Sequence, residues 1–100
     1  MWNKPTSKQL AQLPALYETD GIDCKDKTIY LHFFIGGCDW YVAEFDGEGL
    51  FFGFVNLNDP MNAEWGLFSL QELDEINITG CEVDNDLHWR PKKFSEISIA

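Results

Sequence analysis

The side chains of this sequence that could do chemistry are mostly carboxylates, and they are segregated along the chain. No Lys or Arg occurs from Thr28 to Trp89, and all seven basic residues lie toward the two ends of the chain. A surface selected only for solubility mixes both signs of charge, because close like charges repel by about a few tenths of a kcal/mol per pair. The segregation leaves two interpretations open. Either the terminal lysines fold back over the acidic residues and the surface is merely soluble, or the acidic surface has a function.

Two groups of acidic residues have spacings that suit a mimic of nucleic acid. Glu82, Asp84 and Asp86 alternate in the sequence, so on one strand their carboxylates would project from one face about 6.6 Å apart, which is about two nucleotide rises of a single DNA strand. The second group surrounds a predicted hairpin and comprises Glu44, Asp46 and Glu48. We predict that these six residues bind the basic channel of a protein that handles DNA or RNA, in a salt-sensitive way.

A metal site is an alternative chemistry for the alternating carboxylates that begin at Glu82. They resemble the start of a calcium loop, but such a loop needs Gly at its sixth position and a bidentate Glu at its twelfth. Those positions hold Leu87 and Lys93. With His88 nearby, a site for Mg²⁺ or a transition metal stays open as an alternative, and the main prediction is that the protein holds no metal.

Nucleophilic catalysis finds little support in the sequence. The candidate groups have no nucleophile elbow and no partner base at a recognisable spacing; they are Cys38, Ser69, His32 and His88. The glycines form no phosphate-binding motif. The cysteines lack the paired spacing of a zinc ribbon and are odd in number, so we predict free thiols; they are Cys24, Cys38 and Cys81. We predict a protein that is not an enzyme and needs no cofactor.

Composition limits the possible classes of protein. A chain of 100 residues predicts a single domain, 1–100, because two halves could not each bury a core. The formal net charge of −10 argues against direct binding to nucleic acid or to an anionic membrane. No apolar run approaches the roughly 18 residues of a membrane span, and no secretory signal begins the sequence. We therefore expect a cytoplasmic protein.

Periodicity and turn residues predict the elements that would position these side chains. Helical signals are a cap at Thr6 or Ser7 with a stop at Pro14, and the capping-box pattern that starts at Ser69. The predicted elements are a helix ending at Leu13, strands over 29–35, 39–46, 50–57 and 63–68, a helix from Ser69 that ends before Gly80, an extended stretch over 82–89 and a helical turn over 94–97.

The order of these elements predicts an α+β fold. We expect an antiparallel meander of about four strands, with strand 50–57 central and short helices at both ends covering one face. Large aromatic residues occur on both predicted faces, more than one small core can hold. The second face is therefore expected to be covered by the C-terminal tail, by a partner or by a second copy, so a homodimer is possible.

Several motifs together resemble those of a family of small uncharacterised bacterial, plasmid and phage proteins, a domain of unknown function. The resemblance covers about 14–97 and rests on the order of W-Y-x-x-E (40–44), F-G (52–53), E-x-G-x-F-S-L-x-E-L (64–73) and D-x-D-L-x-W-x-P (84–91). Asn85 stands where the family pattern has Arg. The resemblance implies a gene carried by mobile elements, whose small acidic proteins often antagonise defence nucleases.

These observations lead to one main hypothesis and two alternatives. The main hypothesis is an acidic, non-enzymatic, anti-CRISPR-like protein that binds a basic nucleic-acid-binding protein or ribonucleoprotein of a host defence system. The first alternative is a domain that binds a small molecule or metal in a pocket near Trp40, Glu44, Glu64 and His88. The second is an interaction module that forms a homodimer through its aromatic sheet face.

Overall fold

The computed structural model describes residues 1–97. Its helices and strands are α1 (Ser7–Ala11), β1 (Thr28–Ile29), β2 (Leu31–Ile35), β3 (Cys38–Phe45), β4 (Leu50–Leu57), β5 (Glu64–Ser69), α2 (Leu70–Glu75), β6 (Asn77–Ile78), β7 (Cys81–Glu82), β8 (Asp84–Asn85) and β9 (Lys92–Lys93). Three short 3₁₀ turns lie at Cys24–Asp26, Pro60–Asn62 and Phe94–Glu96. Among residues 1–97, no helix is long and apolar enough to cross a membrane.

The main sheet has five antiparallel strands in the order β5-β4-β3-β2-β8. The predicted mixed fold with a mainly antiparallel sheet and short helices is confirmed in outline. The expected strand count was wrong, because Asp84–Asn85 pairs with Phe33 and Phe34 and adds a fifth strand. This addition makes β3 the central strand. The predicted central strand, β4, lies one position from the edge.

Local turn signals position these strands as predicted. Gly36 has a φ of 53° and lies in the two-residue connection between β2 and β3, where Ile35 pairs with Cys38. Such left-handed conformations favour glycine and match the twist of a hairpin. At the start of α2, the Ser69 hydroxyl accepts a hydrogen bond from the Glu72 amide at 3.0 Å. The predicted cap is confirmed, although α2 ends at Glu75 and a small β6–β7 hairpin follows it.

One face of the main sheet, here called the first face, carries the larger core. Its buried members are Leu31, Phe33, Ile35, Trp40, Val42, Phe51, Phe68, Leu73 and Val83. Both helices pack against it, α1 through Leu10 and α2 through Leu70. The predicted coverage of one face by the two helices is therefore confirmed. Their placement differs in detail, because the second helix was expected to extend from Ser69 nearly to Gly80, whereas α2 ends at Glu75 and the β6–β7 hairpin follows.

The opposite side of the sheet, the second face, holds a smaller core around Ile29, Tyr41 and Ala43. The C-terminal tail packs here through Trp89, Phe94 and Ile97. The Trp89 indole donates to the carbonyl of Ile29 at 3.0 Å, and β9 pairs with β1. The tail, one of the three predicted covers for this face, therefore packs on it.

Residues 82–89 do not form the single extended stretch that the alternation predicts. Glu82 belongs to β7, which pairs with β6, whereas Asp84 belongs to β8 in the main sheet. After Asp86 the chain turns, and Trp89 reaches the second core. The stretch is divided because Thr79 and Gly80, both with positive φ, close a separate hairpin just before it.

Candidate functional site

Glu44 is a buried structural anchor and does not belong to an exposed acidic surface. Its side chain is 2% exposed. One carboxylate oxygen accepts from the Tyr17 amide at 2.9 Å, and the other accepts from the Thr19 amide at 3.2 Å and from the Thr19 hydroxyl. The ammonium of Lys27 lies 3.9 Å from the same carboxylate. The predicted role of Glu44 in binding a partner is therefore wrong, because no partner can reach its charge.

A β-bulge between Val42 and Glu44 explains this placement. An extra residue in one strand interrupts the in-and-out alternation of its side chains. Phe45 therefore packs against the first core, and Glu44 turns to the opposite face, where the chain around Tyr17 and Thr19 covers it. Because of the bulge, the Glu44 carboxylate does not face solvent and instead holds the segment around Tyr17 and Thr19 through hydrogen bonds.

Asp46 and Glu48 are exposed at the β3–β4 turn, as predicted. One oxygen of Asp46 accepts three backbone hydrogen bonds, from Glu48 at 2.7 Å, Gly49 at 2.8 Å and Leu50 at 2.9 Å. These donors stabilise the ionised carboxylate, with Leu50 as the largest contributor, and hold the pKa of Asp46 below its ordinary value of 3.8. Asp46 therefore shapes the turn through one oxygen, and its second oxygen accepts no hydrogen bond within residues 1–97.

The lowered pKa of Asp46 predicts a pH dependence of stability. A carboxylate with a depressed pKa in the folded state stabilises the fold above pH 3.8, and the stabilisation is lost as the pH falls through the folded-state pKa. Asp46→Asn keeps an acceptor oxygen but does not titrate. We expect Tm to fall more steeply below pH 3.8 in the wild type than in D46N, measured by circular dichroism. Parallel Tm curves would contradict this role for Asp46.

The second predicted group of carboxylates is dispersed. Glu82 accepts from the amino group of Met1 at 2.6 Å, and Asp84 accepts from the Asn3 side-chain amide at 2.9 Å. Asp86 accepts from the backbone of His88 at 3.0 Å and contacts His32. The three carboxylates do not share one strand, and each has an intramolecular partner. They do not form the evenly spaced row expected from their alternation.

His32 is a half-buried polar side chain of the second face that contacts two carboxylates and several aromatic rings. Its Nε2 lies 2.7 Å from Asp39 and its Nδ1 lies 3.3 Å from Asp86. The ring stacks on Tyr41 with centroids 4.8 Å apart and an interplanar angle of 7°, and Trp89 lies at 5.1 Å. Because its two ring nitrogens contact Asp39 and Asp86 and its ring packs on Tyr41 and Trp89, His32 links β2 to β3 and to the segment after β8.

The other side chains that could take part in a reaction do not lie together in one site within the described residues. Burial and the charge of Asp39 raise the pKa of Tyr41 to about 12, so its phenol stays protonated at neutral pH. Ser69 caps α2. Within the described residues, no group of three or more His, Cys, Asp or Glu side chains is arranged to hold a metal ion. The three cysteines are free thiols in the structure, with Cys38 half-buried.

The alternative pocket near Trp40, Glu44, Glu64 and His88 is not formed. Trp40 and Glu64 line a groove of about 580 Å³ on the first face. Glu44 is buried on the second face, and His88 lines a different depression of about 450 Å³ beside His32. Because the four side chains occupy three separate places, they cannot bind one small molecule together.

The basic residues fold over only part of the acidic surface. Lys4 lies 3.5 Å from Asp74, the amino group of Met1 contacts Asp74 and Glu82, and Lys27 is paired with Glu44. Of the eleven exposed carboxylates that have no ion pair within residues 1–97, five lie before β1 or in the C-terminal 3₁₀ turn, and six lie between the β3–β4 turn and the end of α2. We call the latter set the acidic border: Asp46, Glu48, Asp59, Glu64, Glu72 and Glu75.

The acidic border follows one side of the molecule. At one end, the amide of Leu70 donates to the carbonyl of Gly49 at 2.8 Å, so the β3–β4 turn adjoins the start of α2. At the other end, Asp59, Glu64 and Glu72 line the same groove on the first face. This geometry can present negative charge to a cationic surface, but it contains no group of residues suited to bond making or breaking.

Comparison of the chain with protein-family models, curated proteins and solved structures finds no match. The resemblance to small uncharacterised bacterial, plasmid and phage proteins therefore stays a prediction from the motifs. Asn85, which replaces Arg in that pattern, is buried and donates to the Gln9 side chain at 3.1 Å. This position joins β8 to α1 and is not part of the acidic border.

Two features of the site escaped the sequence analysis. Asp39 was not identified as the partner of His32, although the short turn after Ile35 would have placed them diagonally across a hairpin. The sequence also does not show which carboxylates stay unpaired, because no local signal indicates where the basic side chains fold. The ones missed for this reason are Asp59, Glu64, Glu72 and Glu75.

Proposed function

We propose that this protein is an acidic, non-enzymatic binding protein that occupies the positively charged nucleic-acid site of another protein. The observation that carries the proposal is the acidic border, six exposed carboxylates with no cationic partner within residues 1–97. Nucleic-acid sites bind phosphates mainly with Lys and Arg. Carboxylates held on a folded scaffold satisfy the same cations.

The charge of the whole molecule supports such binding. A net charge of −10 on 100 residues attracts a cationic partner at long range and repels nucleic acid itself. Salt screens exposed charges over about 8 Å at physiological ionic strength, so the interaction is fast at low salt and weakens as salt rises. The border replaces the earlier six-residue set, from which Asp46 and Glu48 are retained.

The partner class follows from the resemblance and not from the geometry. The motifs imply a gene of mobile elements, so we propose the nuclease or guide-RNA complex of a host defence system as the target. Inhibition then requires only that the acidic protein exclude DNA or RNA from the basic channel.

A competition assay tests this function. Purified guide-RNA nuclease complexes and restriction endonucleases are loaded with fluorescent DNA, and displacement by the acidic protein is followed by anisotropy. The test variant Glu48→Lys with Glu64→Lys reverses two border charges. The control Asp23→Lys with Asp26→Lys makes the same change in net charge at exposed sites outside the border.

We expect the wild type and the control to displace DNA from one of these enzymes, and the border variant to need a concentration at least about tenfold higher. Circular dichroism verifies that both variants are folded. Equal displacement by the two variants would show that the border has no special role. If the wild type displaces DNA from none of the enzymes, the proposed partner class is wrong.

A further inference from the structure

The outer edge of β5 carries backbone groups that no strand of the described chain pairs. β5 is the edge strand of the main sheet. Just beyond the ends of β4 and β5, the Leu70 amide donates to the carbonyl of Gly49, so the backbone of Leu70 points toward β4. Along an antiparallel strand, successive residues point their backbone N–H and C=O groups alternately toward one neighbour and toward the other side. The N–H and C=O groups of Trp65 and Leu67 therefore point away from β4, toward the outside of the sheet.

The two edges of the sheet are treated differently. At the β8 edge, Trp2 forms a parallel bridge with Asp84, and its amide donates to the carbonyl of Val83 at 2.9 Å. The β5 edge has no such cover within residues 1–97. It also lacks the Lys and Pro residues that commonly protect an exposed edge from added strands. An open edge of this kind is suited to strand addition.

On the first face, a groove of about 580 Å³ runs beside β5 and combines an apolar floor with acidic walls. Trp40, Phe68 and Leu73 contribute to the floor. A Cβ atom built on Gly66 would meet no atom within 4 Å, so the middle of β5 leaves room for a neighbouring side chain. The acidic walls contain three members of the acidic border: Asp59, Glu64 and Glu72.

On the second face, the same strand is apolar. Leu67 is 51% exposed, and the rings of Phe52 and Trp65 stack with centroids 5.6 Å apart. A sixth strand alternates its side chains between the two faces. Side chains on the groove side would meet carboxylates and empty space, and those on the other side would lie beside Leu67.

We propose that the β5 edge binds an extended segment of the partner protein as a sixth strand, in which basic side chains alternate with apolar ones. The basic side chains lie over the groove, with their stems on its apolar floor and their charges near the acidic border. The apolar side chains lie against Leu67. This proposal specifies how the partner of the function proposed above is held and rests on that function.

A second copy of this chain is a poor occupant of the same edge. Pairing β5 with β5 would bring Glu64 and Glu72 of one copy near those of the other, and no Lys or Arg occurs between Thr28 and Trp89 to compensate them. Like charges placed opposite each other destabilise strand pairs. The charge of the groove therefore selects a cationic strand.

Two labelled peptides of equal composition test the site. In the first, Arg and Val alternate over eight residues; in the second, four Arg precede four Val. Leu67→Pro removes an outward N–H without removing a β4–β5 hydrogen bond, and Gly66→Val fills the groove at a position with free space. Ile78→Ser, an exposed apolar position on β6, is the matched control.

At about 0.15 M salt, we expect the wild type and I78S to bind the alternating peptide at least about tenfold more tightly than the block peptide. L67P and G66V should bind both peptides equally. Tm measurements verify folding, and G66V keeps the test valid if L67P does not fold.

The outcomes separate the strand site from the electrostatic function. Equal affinity of the wild type for both peptides, unchanged in G66V, would overturn the strand site and leave the acidic function standing. Failure to bind either peptide at low salt would count against both. A wild-type dimer in sedimentation that G66V converts to monomer would identify a second copy as the occupant and overturn the proposal.

Discussion

Glu44→Ala is expected to lower the free energy of unfolding by about 3–5 kcal/mol. The substitution leaves the ammonium of Lys27, whose side chain is 6% exposed, without its carboxylate. It also removes the acceptor for the amides of Tyr17 and Thr19, which connect the chain before β1 to the central strand. Urea denaturation followed by tryptophan fluorescence measures the loss.

The control for this prediction is Glu48→Ala, which removes a carboxylate from an exposed position of the same hairpin. We expect it to change stability by no more than about 0.5 kcal/mol. A double-mutant cycle with Glu44→Leu and Lys27→Met tests the pairing itself. The double variant should be less destabilised than the sum of the two single variants, by about 1 kcal/mol or more. Strict additivity would mean that the two charges are not coupled in solution.

The main strands could be predicted because their signals are local. Alternation defines Leu31–Ile35, and the flanking Gly36 and Asp46 turns fix the hairpin partners within a few residues of each strand. The positions of the buried charges could not be predicted in this way. Glu44 changes face because of a bulge, and its hydrogen-bond partners lie 25 and 27 residues earlier in the chain.

The segment from Glu82 to Asp86 shows the same limit. Its alternation is typical of one strand with three aligned carboxylates, yet β7 and β8 belong to different sheets. Glu82 pairs with Asn77 in a local hairpin. Asp84 and Asn85 instead pair with Phe34 and Phe33, which lie about fifty residues earlier in the chain. A strand of two residues is too short for its sequence pattern to specify which strand it pairs with. Long-range packing therefore determines the pairing.

The charge distribution was informative at a coarser level. The absence of Lys and Arg from Thr28 to Trp89 predicts that an acidic surface survives folding, and the acidic border agrees with that expectation. Which carboxylates remain unpaired depends on the few cations outside this stretch. Lys4 and the amino group of Met1 neutralise Asp74, and Lys27 is buried against Glu44. The acidic border is part of the surface that remains and lies along the segment from the β3–β4 turn to α2.

Gly53→Ala is expected to cost about 3 kcal/mol of stability, the upper end of the usual range for overpacking. Gly53 is buried on β4 opposite Val42, where the strand approaches the bulge in β3. A Cβ atom there would overlap the carbonyl oxygen of Tyr41 and lie 2.9 Å from its carbonyl carbon. Because the obstacle is the backbone of the central strand, no change of rotamer relieves it. Thermal and urea unfolding measure the effect.

Gly66→Ala is the matched control, because Gly66 lies directly opposite Gly53 in the β4–β5 ladder. A Cβ at Gly66 meets no atom within 4 Å, and its backbone is not left-handed. Alanine should therefore stabilise the protein by about 0.4–1 kcal/mol, since it restricts the unfolded chain. The pair thus separates two functions of glycine in one ladder: close approach of the backbone at Gly53, and space for a partner at Gly66. Equal losses in both variants would contradict this assignment, and with it the open groove on which strand addition depends.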